Sequence, residues 1–390
     1  MIFKKLFFLF CLSISFKLFP FQLSENAHVS VITIGSSQKE LYSAFGHSGI
    51  RIKDDSLGID YFYNYGVFDF NQPNFYLNFL KGKLLYMVVK YNFISVKDHY
   101  ILNHRDIKEQ ILNLDLNQKK KIFKFLEKNI LDENKYYYYN YLYNNCATKI
   151  RDVFDEIIPE YVQYDYNHLS DNLSFRGLMD IYLNHQQWGD LGIDICLGSQ
   201  IDIEADGYNA MYLPDYLFIN FNHAKTNRQE KLVLKENQIF SSQEKSNFYL
   251  WMSPSQAFIF LLILSILIFF RERKYNLWYW QFDFFLLVLS GGIGILLIYL
   301  WFFTDHLSAY NYNIIWAFPL NIVVALFFIN NRILKKIKLY FLFYSFLLIS
   351  LIFLWYFLPQ QLNDALIIFV ILLLARSSLI FFQLNKSSNN

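Results

Sequence analysis

The chain is short of net charge, of cysteine and of any internal repeat. Its 35 Lys and Arg stand against 33 Asp and Glu, a balance of +2 over 390 residues. That offers no basis for a nucleic-acid partner. Three cysteines, Cys11, Cys146 and Cys196, are too few for a disulfide-built scaffold. Cys11 lies in an apolar N-terminal stretch, so one disulfide reading stays open, a Cys146–Cys196 bridge. A single bridge adds little to a domain large enough to bury its own core. His99, His104, His168, His185 and His223 fall at no ligand spacing, and no metal site is predicted. Apolar residues are abundant instead. They make up 54% of the chain, with 42 Phe, and crowd toward the C-terminal end. An ordinary soluble protein is not built that way.

The sequence divides into three parts. Residues 1–26 read as a signal peptide or signal anchor, with Lys4 and Lys5 before an apolar core from Leu6 to Phe16. Lys17 interrupts the run and no lipobox precedes Cys11, so cleavage and retention both stay open. Residues 27–245 read as an exported soluble domain. Residues 246–390 read as a membrane domain of about five transmembrane helices, near 254–270, 283–303, 314–329, 339–358 and 364–382. Arg271 to Lys274 follow the first span. Arg332, Lys335, Lys336 and Lys338 follow the third. Both loops are predicted to be cytoplasmic. The connections at 305–313 and 359–364 lack Lys and Arg and are predicted to face outward, toward the exported domain.

Within that domain, Val29 to Gly35 and His47 to Lys53 alternate as strands. A turn at Asp54–Gly58 and the strand IDYFYNYGVFDF complete a predicted hairpin. A short helix is expected at 72–82, a strand in LLYMVVKYNF, a helix at 94–103, a strand in IKEQILNLDL and a helix at 117–130. Another helix is expected near 174–184, with a loop-rich part after it.

NNCATKIRDVFDEII, residues 144–158, reads as an amphipathic helix with Cys146 in its first turn and Asn144 or Asn145 as N-cap. A thiol there sits among free N–H groups at the positive end of the helix, and its pKa is predicted to fall. The alternative is an inert buried cysteine. A nucleophilic thiol needs a base, and His47 on its strand is the candidate. A third polar group normally orients the imidazole. The neighbouring strand offers Asn64, with Tyr65 and Asp69 as weaker choices.

A His on a strand, a polar residue on the next strand and a later Cys at a helix N-terminus is the order of permuted papain-like folds. Lecithin–retinol acyltransferases and permuted NlpC-type hydrolases share it. The segments FGHSGIR, YNYGVFDF, PNFYLNFLKGKLLYMV, EQILNL, NNCATKIRD, LGIDICLGS, MYLPDYL and DHLSAYNYNIIWAFPLN resemble the Lnb-type bacterial lipoprotein N-acyltransferases. The resemblance spans nearly the whole chain. It implies an α+β permuted papain-like (NlpC/LRAT-like) thiol domain in the periplasm, followed by an all-α polytopic domain in the inner membrane. It also implies a reaction. Cys146 would take an acyl chain from a membrane phospholipid as a thioester and pass it to the α-amino group of a diacylated lipoprotein, with His47 as base. No metal or cofactor is required.

Other residues could serve the substrates. Arg51 shares the strand face of His47 and could meet a phosphate, though an exposed salt bridge fits it better, and Arg105 and Arg151 read the same way. His306, Asn313 and Trp316, with Asp305 and Asn311, lie in an outward loop and could meet a head group. An interface loop with a belt tryptophan explains them equally well. Phe68, Phe70, Phe75, Tyr76 and Phe79 could line an acyl channel, but most are expected in the core. Two other functions use the same sequence features, a periplasmic cysteine amidase on cell-wall peptide and a non-catalytic accessory factor.

Overall fold

The computed structural model describes residues 22–169, 173–243, 251–329 and 336–386. The signal reading over the first 21 residues lies outside them, as do Arg332 and Lys335. The exported part is built on one seven-stranded antiparallel sheet. Its strands are β1 (His28–Ile34), β2 (His47–Asp54), β3 (Ile59–Val67), β4 (Leu84–Asn92), β5 (Ile107–Leu112), β6 (Tyr136–Tyr139) and, after the two-residue ribbon of β7 (Val162–Gln163) with β8 (Lys225–Thr226), β9 (Val233–Phe240). The order across the sheet is β6-β4-β3-β2-β1-β5-β9.

Alternation along β1 and β2 sorts the two faces. Val29 and Val31 stand opposite Ile52 and Ile50 and join Tyr63 in the main core. Two helices cover this face, α3 (Leu116–Asn129) through Ile122 and Leu126, and α4 (Cys146–Ile157) through Ile150, Val153 and Phe154. The other face gathers Ile32, Ile34, Phe62 and Ile107 under Phe93 of α2 (Phe93–Leu102), once α1 (Phe75–Leu80) has preceded it in the chain. The predicted strands and helices up to residue 184 are all present within a few residues of their expected ends.

The segment after residue 184 is a correction. It was expected to be loop-rich. It holds α6 (Gln187–Cys196) after α5 (Phe175–Leu183), then α7 (Gly207–Ala210), α8 (Pro214–His223) and the edge strand β9. Helix α6 contains Gly189 and Gly192, which lower its intrinsic propensity. Its last carbonyls are satisfied from elsewhere in the chain. Asn313 Nδ2 donates to Asp194 O at 2.8 Å, Asn311 Nδ2 to Ile195 O at 2.7 Å and Gln360 Nε2 to Leu197 O at 2.9 Å. Distant residues complete this helix, so its own residues do not announce it.

Among the described residues, four helices are long and apolar enough to cross a membrane: α9 (Pro254–Tyr275), α10 (Trp280–Phe303), the stretch Lys338–Phe357 that includes α12 (Lys338–Leu354), and α13 (Ala365–Lys386). The third predicted span differs. It holds a 3₁₀ turn, Tyr312–Ile315, then α11 (Leu320–Leu326) after Pro319. Gly291 and Gly294 of α10 admit the backbone at Ile322 and Ala317 so closely that a side chain would collide. Among the described residues this is a short helix laid against α10. Arg376 of α13 is buried between Glu272 and Asp283, at 3.1 and 2.6 Å, and ties three spans together.

Candidate active site

Asn145 caps α4. Its Oδ1 accepts from the N–H of Ala147 and of Thr148, both at 2.9 Å, and Thr148 Oγ1 accepts from Asn145 N at 2.7 Å. This reciprocal cap fixes the first turn. It leaves Cys146 at the first helical position, only 8% exposed. Gly66 on β3, at φ +91°, lies against it. A Cβ there would come within 3.7 Å of Cys146 Cβ and 3.5 Å of the Tyr139 ring. The β3–β4 register shifts between Asn64 and Val67, so the strand bulges where it meets the thiol.

The structure brings His47 and Asn64 together. His47 Nε2 lies 2.7 Å from Asn64 Oδ1. An amide oxygen only accepts, so Nε2 carries the proton and Nδ1 keeps its lone pair. The backbone N–H of Ser48, next to His47 on β2, acts on the Cys146 sulfur, as do those of Ala147 and Cys146. The thiol at the helix N-terminus is therefore met by the strand N–H next to His47.

The electrostatics differ from expectation. Burial pushes the Cys146 thiol above its ordinary pKa, and the three N–H groups and the Arg105 charge only partly offset it. Burial also pushes His47 down to about 4, against the Asn64 hydrogen bond that raises it, and Arg105 adds to the lowering. The predicted fall in thiol pKa is overturned, because the helix end lies inside the protein and desolvation exceeds the N-terminal stabilisation. Between about pH 4 and the thiol range both groups are therefore neutral. Alkylation of Cys146 by iodoacetamide should be slow at pH 7 and climb only as pH rises past the ordinary thiol range. The acid limb of turnover should fall as His47 protonates near pH 4. A fast alkylation plateau from pH 5 to 8 would instead reveal a thiolate–imidazolium pair.

The remaining singled-out residues are placed elsewhere. Arg51 is not an exposed salt bridge or a free phosphate ligand. It is buried, paired through Nε and Nη2 with Asp60 at 2.7 Å and through Nη1 with Glu109 at 2.9 Å, over the Phe93 ring. Tyr65 points into the core, its hydroxyl donating to Asn129 Oδ1 at 2.7 Å. Asp69 closes a turn by accepting from Asn71 N. Asn313 and Trp316 are buried, Trp316 Nε1 donating to Asn313 Oδ1 at 2.8 Å. They bind the outward loop to α6 and present no open head-group site. His306 Nε2 pairs with Phe79 O at 3.0 Å. Cys146 and Cys196 are free thiols, which overturns the bridge. Phe68, Phe70, Phe75, Tyr76 and Phe79 are not core residues: Phe68 and Phe75 are half-buried and the other three are exposed.

Arg105, which reads from the sequence as a phosphate contact or an exposed salt bridge, is instead a 9%-exposed guanidinium whose charge reaches both Cys146 and His47. The sequence reading passed over an acidic cluster. One carboxylate oxygen from each of Asp180, Asp190 and Asp194 lies within 4.8 Å of the others, a spacing suited to a cation with oxygen ligands. The cluster lines a cavity of about 740 Å³ between α5, α6 and the 359–364 loop, not the thiol site. Carboxylates brought together from two helices show no periodic signal in the sequence.

Two family models match the chain. The Lnb N-terminal periplasmic domain matches residues 22–179 and the Lnb transmembrane domain matches residues 243–388. The first takes in His47, Asn64 and Cys146. No curated protein matches the chain. No solved structure matches it either.

Proposed function

The chain belongs to the Lnb family, and from that premise we propose that it is a lipoprotein N-acyltransferase of the bacterial inner membrane. In this reading the acyl chain passes through a Cys146 thioester. The observation that carries it is the capped Cys146, met by the N–H of Ser48, whose neighbour His47 is held at Nε2 by Asn64. The thiol domain rests on the outward membrane loops, with Asn311, Asn313, Gln360 and Asn363 all bonded to α6. That position suits lipid substrates.

In the first step His47 Nδ1 takes the thiol proton as sulfur attacks an ester carbonyl of a phospholipid. The S–C bond forms, the ester C–O bond breaks, and the lysophospholipid alcohol leaves with the proton from His47. In the second step the α-amino group of a diacylglyceryl-cysteine attacks the thioester. The N–C bond forms, the C–S bond breaks, and the amine proton returns through His47 to sulfur. The oxyanion of each step sits on the carbon bonded to sulfur, within reach of the Cys146 and Ser48 N–H groups that already act there. The Arg105 charge favours the same anion.

Intact-protein mass spectrometry of the phospholipid-supplied protein tests this reading. Wild type should carry a fatty-acyl mass that hydroxylamine removes, and Cys146→Ala should carry none. A folded wild type that never acquires the adduct would sink the thioester route. Weight would then move to an amidase or a binding module.

A further inference from the structure

Helix α1 is built unlike every other helix of the exported domain. Its sequence, FYLNFL, has no charge, and none of its side chains is buried. Tyr76 is 77% exposed and Leu77 55%, and Phe79, Leu80 and the preceding Phe70 are exposed with them. A soluble domain does not leave such a patch in water without a partner.

The partner follows from where α1 is anchored. Lys81 O accepts from Asp305 N at 2.9 Å, and His306 pairs with Phe79 O at 3.0 Å. Gly82, at φ +75°, has no room for a side chain, since a Cβ would stand 2.9 Å from the Asp305 and His306 backbone. Asp305 and His306 come two and three residues after α10 ends at Phe303. The last residues of α10, Phe302 and Phe303, are themselves exposed. The patch therefore continues the outward, lipid-facing end of a membrane span, with Lys81 and Lys83 following it at head-group level.

A line of rings leads inward from this patch. Phe70 and Phe75 lie 4.9 Å apart, Phe68 and Phe75 6.1 Å, Phe68 and Tyr86 5.1 Å, and Tyr86 and Tyr139 4.4 Å. Tyr139 borders the same Gly66 that touches Cys146. We propose that α1 is a bilayer-inserting ridge, which dips into the outer leaflet and admits an acyl chain along Phe75, Phe68, Tyr86 and Tyr139 to Cys146. The ridge rests on the acyltransferase reading for its purpose, but not for its position.

Depth can be measured without turnover. A nitroxide is attached at Tyr76→Cys in full-length protein carrying Cys11→Ala, Cys146→Ala and Cys196→Ala, reconstituted in phosphatidylethanolamine–phosphatidylglycerol vesicles. Oxygen should relax it strongly and a water-soluble nickel chelate weakly, the reverse of a label at Lys121→Cys on α3. Nickel access equal at the two sites overturns the ridge. A second readout uses the otherwise native enzyme with Leu77→Ser and Phe79→Ser. Acyl-enzyme formation from vesicles should fall at least fivefold more than formation from a monomeric short-chain phospholipid. Equal losses overturn the ridge. A wild type that forms no acyl-enzyme on either donor refutes the acyltransferase reading instead, and leaves the depth result to stand alone.

Discussion

Cys146→Ala is expected to abolish N-acylation while leaving the protein folded, and His47→Gln to lower turnover about a thousandfold. The asymmetry follows from the roles. In the proposed mechanism no acyl-enzyme forms without sulfur, and the one hydroxyl in the same turn, that of Thr148, is held in the cap. The structural cost is small, because α4 is fixed by the Asn145–Thr148 cap and by Ile150, Val153 and Phe154, all of which remain. Without the imidazole the thiol persists but has no proton acceptor. Burial holds it un-ionised at neutral pH, so the loss falls in the upper part of the usual range for a general base, about 10² to 10⁴. Asn64→Ala should cost less, about ten- to a hundredfold, since it frees the Nε2 side of the ring without removing the base. Initial rates on a diacylated lipopeptide, beside circular dichroism of each variant, decide the order. An Asn64 variant as slow as His47→Gln would mean that the ring leaves the site when unheld. An active Cys146→Ala would refute covalent catalysis outright.

Local patterns made the site legible in part. His47 and Asn64 lie on one face of adjacent strands, and alternation with a short turn was enough to pair those strands. Asn145 before an amphipathic run was enough to put Cys146 at a helix start. The thiol's raised pKa was not readable, because it depends on how deeply that helix end is buried. The patch on α1 has the composition of a core segment. Only its anchoring to Asp305 and His306 shows that it faces outward. Strand β9 escaped notice for a related reason: it is an edge strand whose ladder to β5 supplies its order, while half of its residues are exposed and its burial does not alternate. Helix α6 owes its C-terminal end to Asn311, Asn313 and Gln360, more than a hundred positions away. Short-range periodicity reveals elements that stabilise themselves and misses those stabilised by distant parts of the chain.

Those cross-domain bonds lead to the largest expected loss of stability, that of Arg176→Met. Arg176 on α5 is fully buried. Nη1 meets Asp194, Nε meets Asp202 at 2.8 Å, and Nη2 reaches the Leu197 and Gly198 carbonyls at 3.2 Å. Methionine fills similar volume but leaves two carboxylates without their cation. Removing one partner of a buried ion pair costs about 3 to 5 kcal/mol, a large share of the stability of a typical domain. The damage would spread to the membrane side, because Asp194 also receives Asn363 Nδ2 at 2.9 Å and its carbonyl receives Asn313. Burial, together with the neighbouring Asp194 charge, already pushes Asp180 up to about 7 and Asp190 up to about 6. Both folded values exceed the ordinary carboxylate range, so their contribution is most favourable at acid pH and is lost as pH rises through 6 to 7. Without Arg176 that repulsion is less relieved. The variant should therefore melt far below wild type at pH 8 and recover part of the difference at pH 5, where Asp180 and Asp190 hold protons. Thermal unfolding in detergent at the two pH values reads this directly. An equal deficit at both would mean that lost packing, not uncompensated charge, destabilises the junction.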